Sequence, residues 1–230
     1  MHHSIGRKRI YFYLLILLFL SSTYNFNIIS KFKNFILIDH INVEGLNKKE
    51  KNILEKNLKI FLKKNIFLIS RDEIKKKFKN NSFLDNYNIV KVFPSKLLIN
   101  AKKTEFVGTI TLNQNKYYIG KNGKLTKTFL VEKENSLPQV FGKFKVNEFL
   151  KLQEILKTNG FNLSNIKKYY YFKSKRWDVE SKEIVLKLPS KNIEKSLKDY
   201  RSLIKANKIM PGMTIDLRMK NKIILKNEKK

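Results

Sequence analysis

Two pairs of charged residues at strand spacing are where any chemistry in this sequence would have to start. Asp178 and Glu180 stand at i and i+2, which on a strand turns both carboxylates to one face, as a general acid–base pair requires. Solvated strand acids account for that spacing more simply than catalysis does. Asp216 and Arg218 share the spacing, and there the expectation is a surface ion pair worth under about 1 kcal/mol, or a device that shapes an exposed strand. The histidines are His2, His3 and His40; only His40 lies beyond the N-terminal apolar run, too few for a metal site or a Ser/His relay. Cysteine is absent, which excludes disulfides, thiol chemistry and a zinc ribbon. The eight glycines are dispersed, with no loop to cradle a phosphate. These residues argue against an enzyme.

The elements that would position them follow an uncharged run over 10–30, preceded by Arg7, Lys8 and Arg9 and followed by Lys31. A spanning helix needs roughly 20 such residues, so 10–29 is long enough for one transmembrane helix. Tyr11, Tyr13 and Tyr24 lie towards its ends, where aromatic rings favour the interface. The cations before it keep residues 1–9 in the cytoplasm and place everything after residue 30 outside. A basic start, a short apolar stretch and Ser21-Ser22-Thr23 also fit a cleaved signal peptide, although no A-x-A site is present. Both alternatives export the rest.

Hydrophobic residues at 42% and aromatics at 12% describe an ordered chain, with room for one or two domains beyond the apolar run. The net charge of +30 invites a nucleic-acid reading. Yet the cations are overwhelmingly Lys and lie in every expected element, whereas sequence-specific sites lean on Arg and one basic face. A solvated surface with a general attraction to anionic headgroups fits better. An anchored nucleic-acid binder would rest on bulk charge alone.

From residue 36 the pattern predicts strand, helix, helix, strand, strand. The first strand carries Ile36, Ile38, Ile41 and Val43, and a helix over 47–63 places Leu54, Leu58 and Phe61 on one face. Ser70 and Glu73 form a capping box for a short second helix. Strands over 87–93 and 96–102 flank Pro94-Ser95, a turn because proline cannot donate to a ladder. The second half predicts strands over 106–112, 116–119, 124–128, 166–172, 175–180, 183–188, 214–219 and 222–226. It also predicts two helices, one carrying Phe149, Leu152 and Leu156, the other Ile193, Leu197, Tyr200 and Ile204. The fold class is α+β, with domains over 36–103 and 104–226 and a polar tail over 227–230.

In this order the segments resemble the FtsQ/DivIB family. Ile41-Asn42-Val43-Glu44-Gly45 is similar to the I-x-V-x-G opening of that family's POTRA (polypeptide-transport-associated) domain, and Val92-Phe93-Pro94-Ser95-Lys96-Leu97 to its V-x-x-x-P-x-x-L hairpin. Tyr118-Ile119 with Gly123, Leu137-Pro138 with Gly142, Arg176-Trp177, Leu188-Pro189 and Ile215-Asp216-Leu217-Arg218 resemble successive motifs of its C-terminal β-domain. The resemblance implies a non-enzymatic, single-pass scaffold of the bacterial inner membrane, without cofactor, that joins early and late proteins of the divisome at the septum. The partners it implies are FtsB and FtsL, with FtsK, FtsW and FtsI as further candidates. Their binding implies strand addition at an open C-terminal edge around residues 213–225. The implied contact residues are Tyr200, Arg201, Thr214, Ile215, Asp216, Leu217, Arg218 and Met219. Met219 departs from the pattern, because well-studied members carry an aromatic there. The competing expectation is an exported POTRA-like chaperone or secretion module.

Overall fold

The computed structural model describes residues 7–22, 36–205, 210–220 and 222–227. The N-terminal helix α1 spans Arg7–Ser22, and its large apolar side chains from Ile10 to Leu20 are all exposed. At 1.5 Å per residue its 16 residues extend about 24 Å, short of a roughly 30 Å hydrocarbon core. Among the described residues no helix is long and apolar enough to cross a membrane. The expected span over 10–29 is therefore not seen as such; the helix starts earlier, and residues 23–29 lie outside the described ones, as do residues 1–6 and 228–230.

Two compact units follow from the chain's contacts. The first takes in Met1–Glu44, Ile53–Phe78 and Asn88–Asn100, and the second Gly45–Asn52, Lys79–Tyr87 and Ala101–Lys230. Strand β1 (His40–Glu44) lies parallel to β3 (Lys96–Lys103), which also neighbours β2 (Leu84–Val92) in a three-stranded sheet. Between β1 and β2 come α2 (Lys48–Leu58), a 3-10 turn over Lys59–Phe61, and α3 (Arg71–Phe78). The predicted stripe Leu54, Leu58 and Phe61 is buried, as are Ile74 and Phe78 of α3. The Ser70 hydroxyl accepts the Glu73 N–H at 3.1 Å, closing the expected N-terminal cap.

In the second unit a nine-stranded sheet runs in the order β12-β11-β10-β9-β8-β7-β4-β5-β6. Its strands are β4 (Phe106–Leu112), β5 (Asn115–Gly120), β6 (Leu125–Lys127), β7 (Gln139–Phe141), β8 (Ile166–Tyr171), β9 (Trp177–Ser181), β10 (Ile184–Lys187), β11 (Met213–Asp216) and β12 (Ile224–Asn227). Helix α4 (Val146–Thr158) joins β7 to β8, and α5 (Ile193–Lys205) joins β10 to β11, both parallel pairs. Such crossovers need a dozen or more residues, which the helices supply.

Side chains alternate across this sheet, so one register row is apolar and the next polar. Val140, Tyr169, Val179, Leu186, Ile215 and Leu225 are successive partners in one row. They share a core with Phe149, Leu152 and Leu156 of α4 and Leu197 and Tyr200 of α5. The neighbouring row, Phe141, Tyr170, Asp178, Lys187, Asp216 and Ile224, carries the charges.

Candidate functional site

The C-terminal hairpin is where sequence placed the site, and the fold divides its residues among different tasks. Thr214, Ile215 and Asp216 lie on β11, which pairs with β10 on one side and β12 on the other. With both of its ladders filled, β11 has no free side, so within the expected edge over 213–225 the open side among the described residues belongs to β12. Leu217 lies past the strand end, is buried, and donates its N–H to the Lys187 carbonyl at 2.9 Å, so it too is used internally. The expected strand over 214–219 stops at Asp216 because Arg218 folds back on it.

That fold-back is an ion pair in a tight turn. Arg218 donates Nε to Asp216 Oδ1 at 2.8 Å and its backbone N–H to the same oxygen at 3.0 Å, while Nη2 reaches Oδ2. The guanidinium hydrogen bond holds the Asp216 carboxyl below its usual range, against the opposing effect of burial. Two strands away in the same row, burial pushes the Asp178 carboxyl up, and Arg176, Lys187 and Arg218 only partly offset it. Arg176 approaches Asp178 no closer than 3.8 Å, and Asp178 Oδ1 is buried without a hydrogen bond. Glu180 has different company. Burial alone would raise it, but Lys168 at 3.0 Å and the Tyr170 hydroxyl at 3.0 Å outweigh that and hold it low. Glu180 is thus tied to Lys168 and Tyr170, while Asp178 keeps one carboxylate oxygen buried and unbonded. Among the described residues no group of three His, Asp or Glu side chains could hold a metal ion.

Tyr200 and Arg201, expected at the partner contact, both make contacts within the fold. Tyr200 is buried against Phe161, rings stacked with centroids 5.1 Å apart, and burial pushes its hydroxyl up to about 12. Arg201 closes the C-terminus of α4. There Gly160, at φ +84°, lets its own N–H and that of Phe161 satisfy the carbonyls of Lys157 and Leu156, a Schellman arrangement. The two carbonyls left over belong to Thr158 and Asn159, and Arg201 takes both at 2.8 Å.

What stays open is β12. Its inner side pairs with β11, and among the described residues no strand lies on its outer side. Ile224, Lys226 and Asn227 are exposed, and Leu225 packs on the core. Beside it Met219, 52% exposed, and Arg218 help to line a depression of about 200 Å³ bounded across the gap by Lys195 and Asp199 of α5. Sequence reasoning had the hairpin but left its free rim undecided. The alternation over 222–226 marks a strand, yet only the long-range pairing of β10 with β11 makes the outer strand the edge.

Comparison with known proteins agrees with this architecture. Residues 37–102 match the family model described as POTRA domain, FtsQ-type, and residues 109–218 the one described as cell division protein FtsQ/DivIB, C-terminal. The chain is 26% identical over 194 residues to cell division protein FtsQ of Rickettsia bellii (strain RML369-C), covering 80% of this chain and 70% of that one. With both models in order along most of its length, the chain belongs to the FtsQ/DivIB family of cell division proteins.

Proposed function

We propose that this protein is a membrane-anchored scaffold of the bacterial divisome that captures a partner strand along β12. The observation that carries the reading is the outer side of that strand, along which no strand lies among the described residues, a row of N–H and C=O groups ready to continue the ladder. The depression at Arg218 and Met219 lies next to it and would take a side chain of the incoming segment. A pair of the FtsB and FtsL kind is the expected partner, with FtsK, FtsW and FtsI as further contacts. The apolar α1 behind its basic start supports an inner-membrane anchor with the N-terminus in the cytoplasm and both units in the periplasm, at the septum. The role is binding, not catalysis.

Adjacent residues of an antiparallel strand turn their N–H groups to opposite sides. Proline at Ile224 and proline at Leu225 therefore act differently: one breaks the pairing with β11, the other removes only an outward donor. The variant that keeps its circular dichroism and Trp177 emission is expected to bind a purified FtsB–FtsL pair at least about tenfold more weakly than the parent. Undiminished binding by that variant would sink the strand-addition reading.

A further inference from the structure

The first unit carries an aromatic and aliphatic tip that its own fold leaves uncovered. Phe67 and Phe93 stack with centroids 4.8 Å apart, yet they are 61% and 55% exposed, and Leu68 is 81% exposed. The rings come from two segments, the loop after the 3-10 turn and the β2–β3 turn. The loop is held in shape: Asn65 Oδ1 accepts the Phe67 N–H at 2.9 Å, and Asn65 bridges to Leu37. Contiguous exposed apolar groups on a preset scaffold mark a surface that is covered in use.

The chain arrives from α1 at this same place. Ile66 donates its N–H to the Ile36 carbonyl at 3.0 Å, Lys63 donates to Ile38 at 2.8 Å, and Asp39 donates to Ser95 at 2.9 Å. Residues 36–39 are thus threaded between the loop and the turn that bear the tip. Thirteen residues separate Ser22 from Ile36, at most about 45 Å of extended chain. The three segments 36–39, 63–68 and 91–96 hold Lys63, Lys64, Lys91 and Lys96 against a single acid, Asp39, which Lys63 engages at 2.6 Å.

We propose that this tip is a membrane-docking patch. Phe67, Leu68 and Phe93 enter the boundary between headgroups and acyl chains of the bilayer that anchors α1, and the lysines face anionic headgroups. The inference rests on the anchored reading given above. Rings and leucine within a lysine surround are what an interfacial segment presents to lipid, and a single attachment through α1 is turned into two points of contact. The first unit would then be held in one orientation rather than swinging on its tether.

The absence of cysteine makes a direct test clean. Full-length protein carrying one labelled cysteine, from Leu15→Cys, Leu68→Cys or Asn113→Cys, is reconstituted into vesicles of phosphatidylcholine with or without phosphatidylglycerol, and quenching by headgroup-level spin-labelled lipid is read. The position 68 label is expected to be quenched at least about twofold more than the position 113 label, and more strongly in the anionic vesicles. Quenching at 15 but no more at 68 than at 113 leaves the anchor standing and overturns the docking patch. No lipid quenching at 15 overturns the anchor and the patch with it. A label at 68 shielded from aqueous iodide yet untouched by the lipid quencher means a protein contact or a second copy, and also overturns it.

Discussion

Arg201 Nε donates to the carbonyl of Asn159 at 2.8 Å, and with Nη2 on Thr158 the guanidinium occupies the last two free carbonyls of α4. A fork-shaped cation at a helix C-terminus is favoured both by the hydrogen bonds and by the helix dipole. Arg201→Ala is expected to cost about 1 kcal/mol, read from urea unfolding of the Trp177 signal, and to speed amide exchange at the end of α4. Lysine there should recover only part of it, since an ammonium lacks the fork. A variant that loses partner affinity with unchanged stability would return Arg201 to the interface.

Asp216 ties stability to acid. Its folded carboxyl sits below the ordinary value, so the ion pair contributes fully above about pH 4 and is lost as pH falls through the folded value. Asp216→Asn should therefore destabilise at pH 7 by about 1–2 kcal/mol, with the gap from the parent narrowing under acid. A gap of constant size between pH 7 and pH 3 would contradict the assignment.

Asp178 should behave in the opposite sense. Burial raises its folded carboxyl, so its ionisation opposes folding above that raised value, and the penalty disappears below the unfolded one. Asp178→Asn keeps the shape and removes the charge. It is expected to raise the melting temperature at pH 7 and to match the parent near pH 3. A lower melting temperature at pH 7 would mean that Arg176, Lys187 and Arg218 depend on the carboxylate more than it suffers from burial.

Two glycines of the recognised motifs are fixed by space as well as by φ. Gly45, at φ +83°, lies against the Ala101 carbonyl oxygen, and Gly142, at φ +104°, against that of Tyr171; a Cβ would run into either. Alanine at each should cost about 2 kcal/mol or more in thermal or denaturant melts. Tolerance at either site would show that the neighbouring strand can retreat.

Local patterns were legible because their causes are local. The stripes Leu54, Leu58, Phe61 and Phe149, Leu152, Leu156 are buried as their spacing predicts, and the Ser70 cap forms three residues from its partner. What sequence could not supply was pairing at a distance. Glu50 is fully buried and bonds Lys103 at 3.2 Å, and Lys103 also holds Glu134 at 2.7 Å. Burial opposes the Lys103 charge, yet those two carboxylates outweigh it and keep the ammonium above the usual lysine range. The same blindness left the free rim of the C-terminal hairpin undecided. Residues 183–188 and 213–216 become parallel neighbours only through α5, and that puts β11 inside the sheet and β12 at its margin.

Trp177 is the chain's one tryptophan, buried among Tyr171, Phe144 and Phe149 with ring centroids 4.7, 5.3 and 6.0 Å away. Its indole therefore works as an optical gauge built into the second unit. Following that emission beside far-ultraviolet dichroism tests whether the core around Trp177 melts together with the rest of the chain. The consequence is practical: the core of the second unit can be watched through a titration with no label attached.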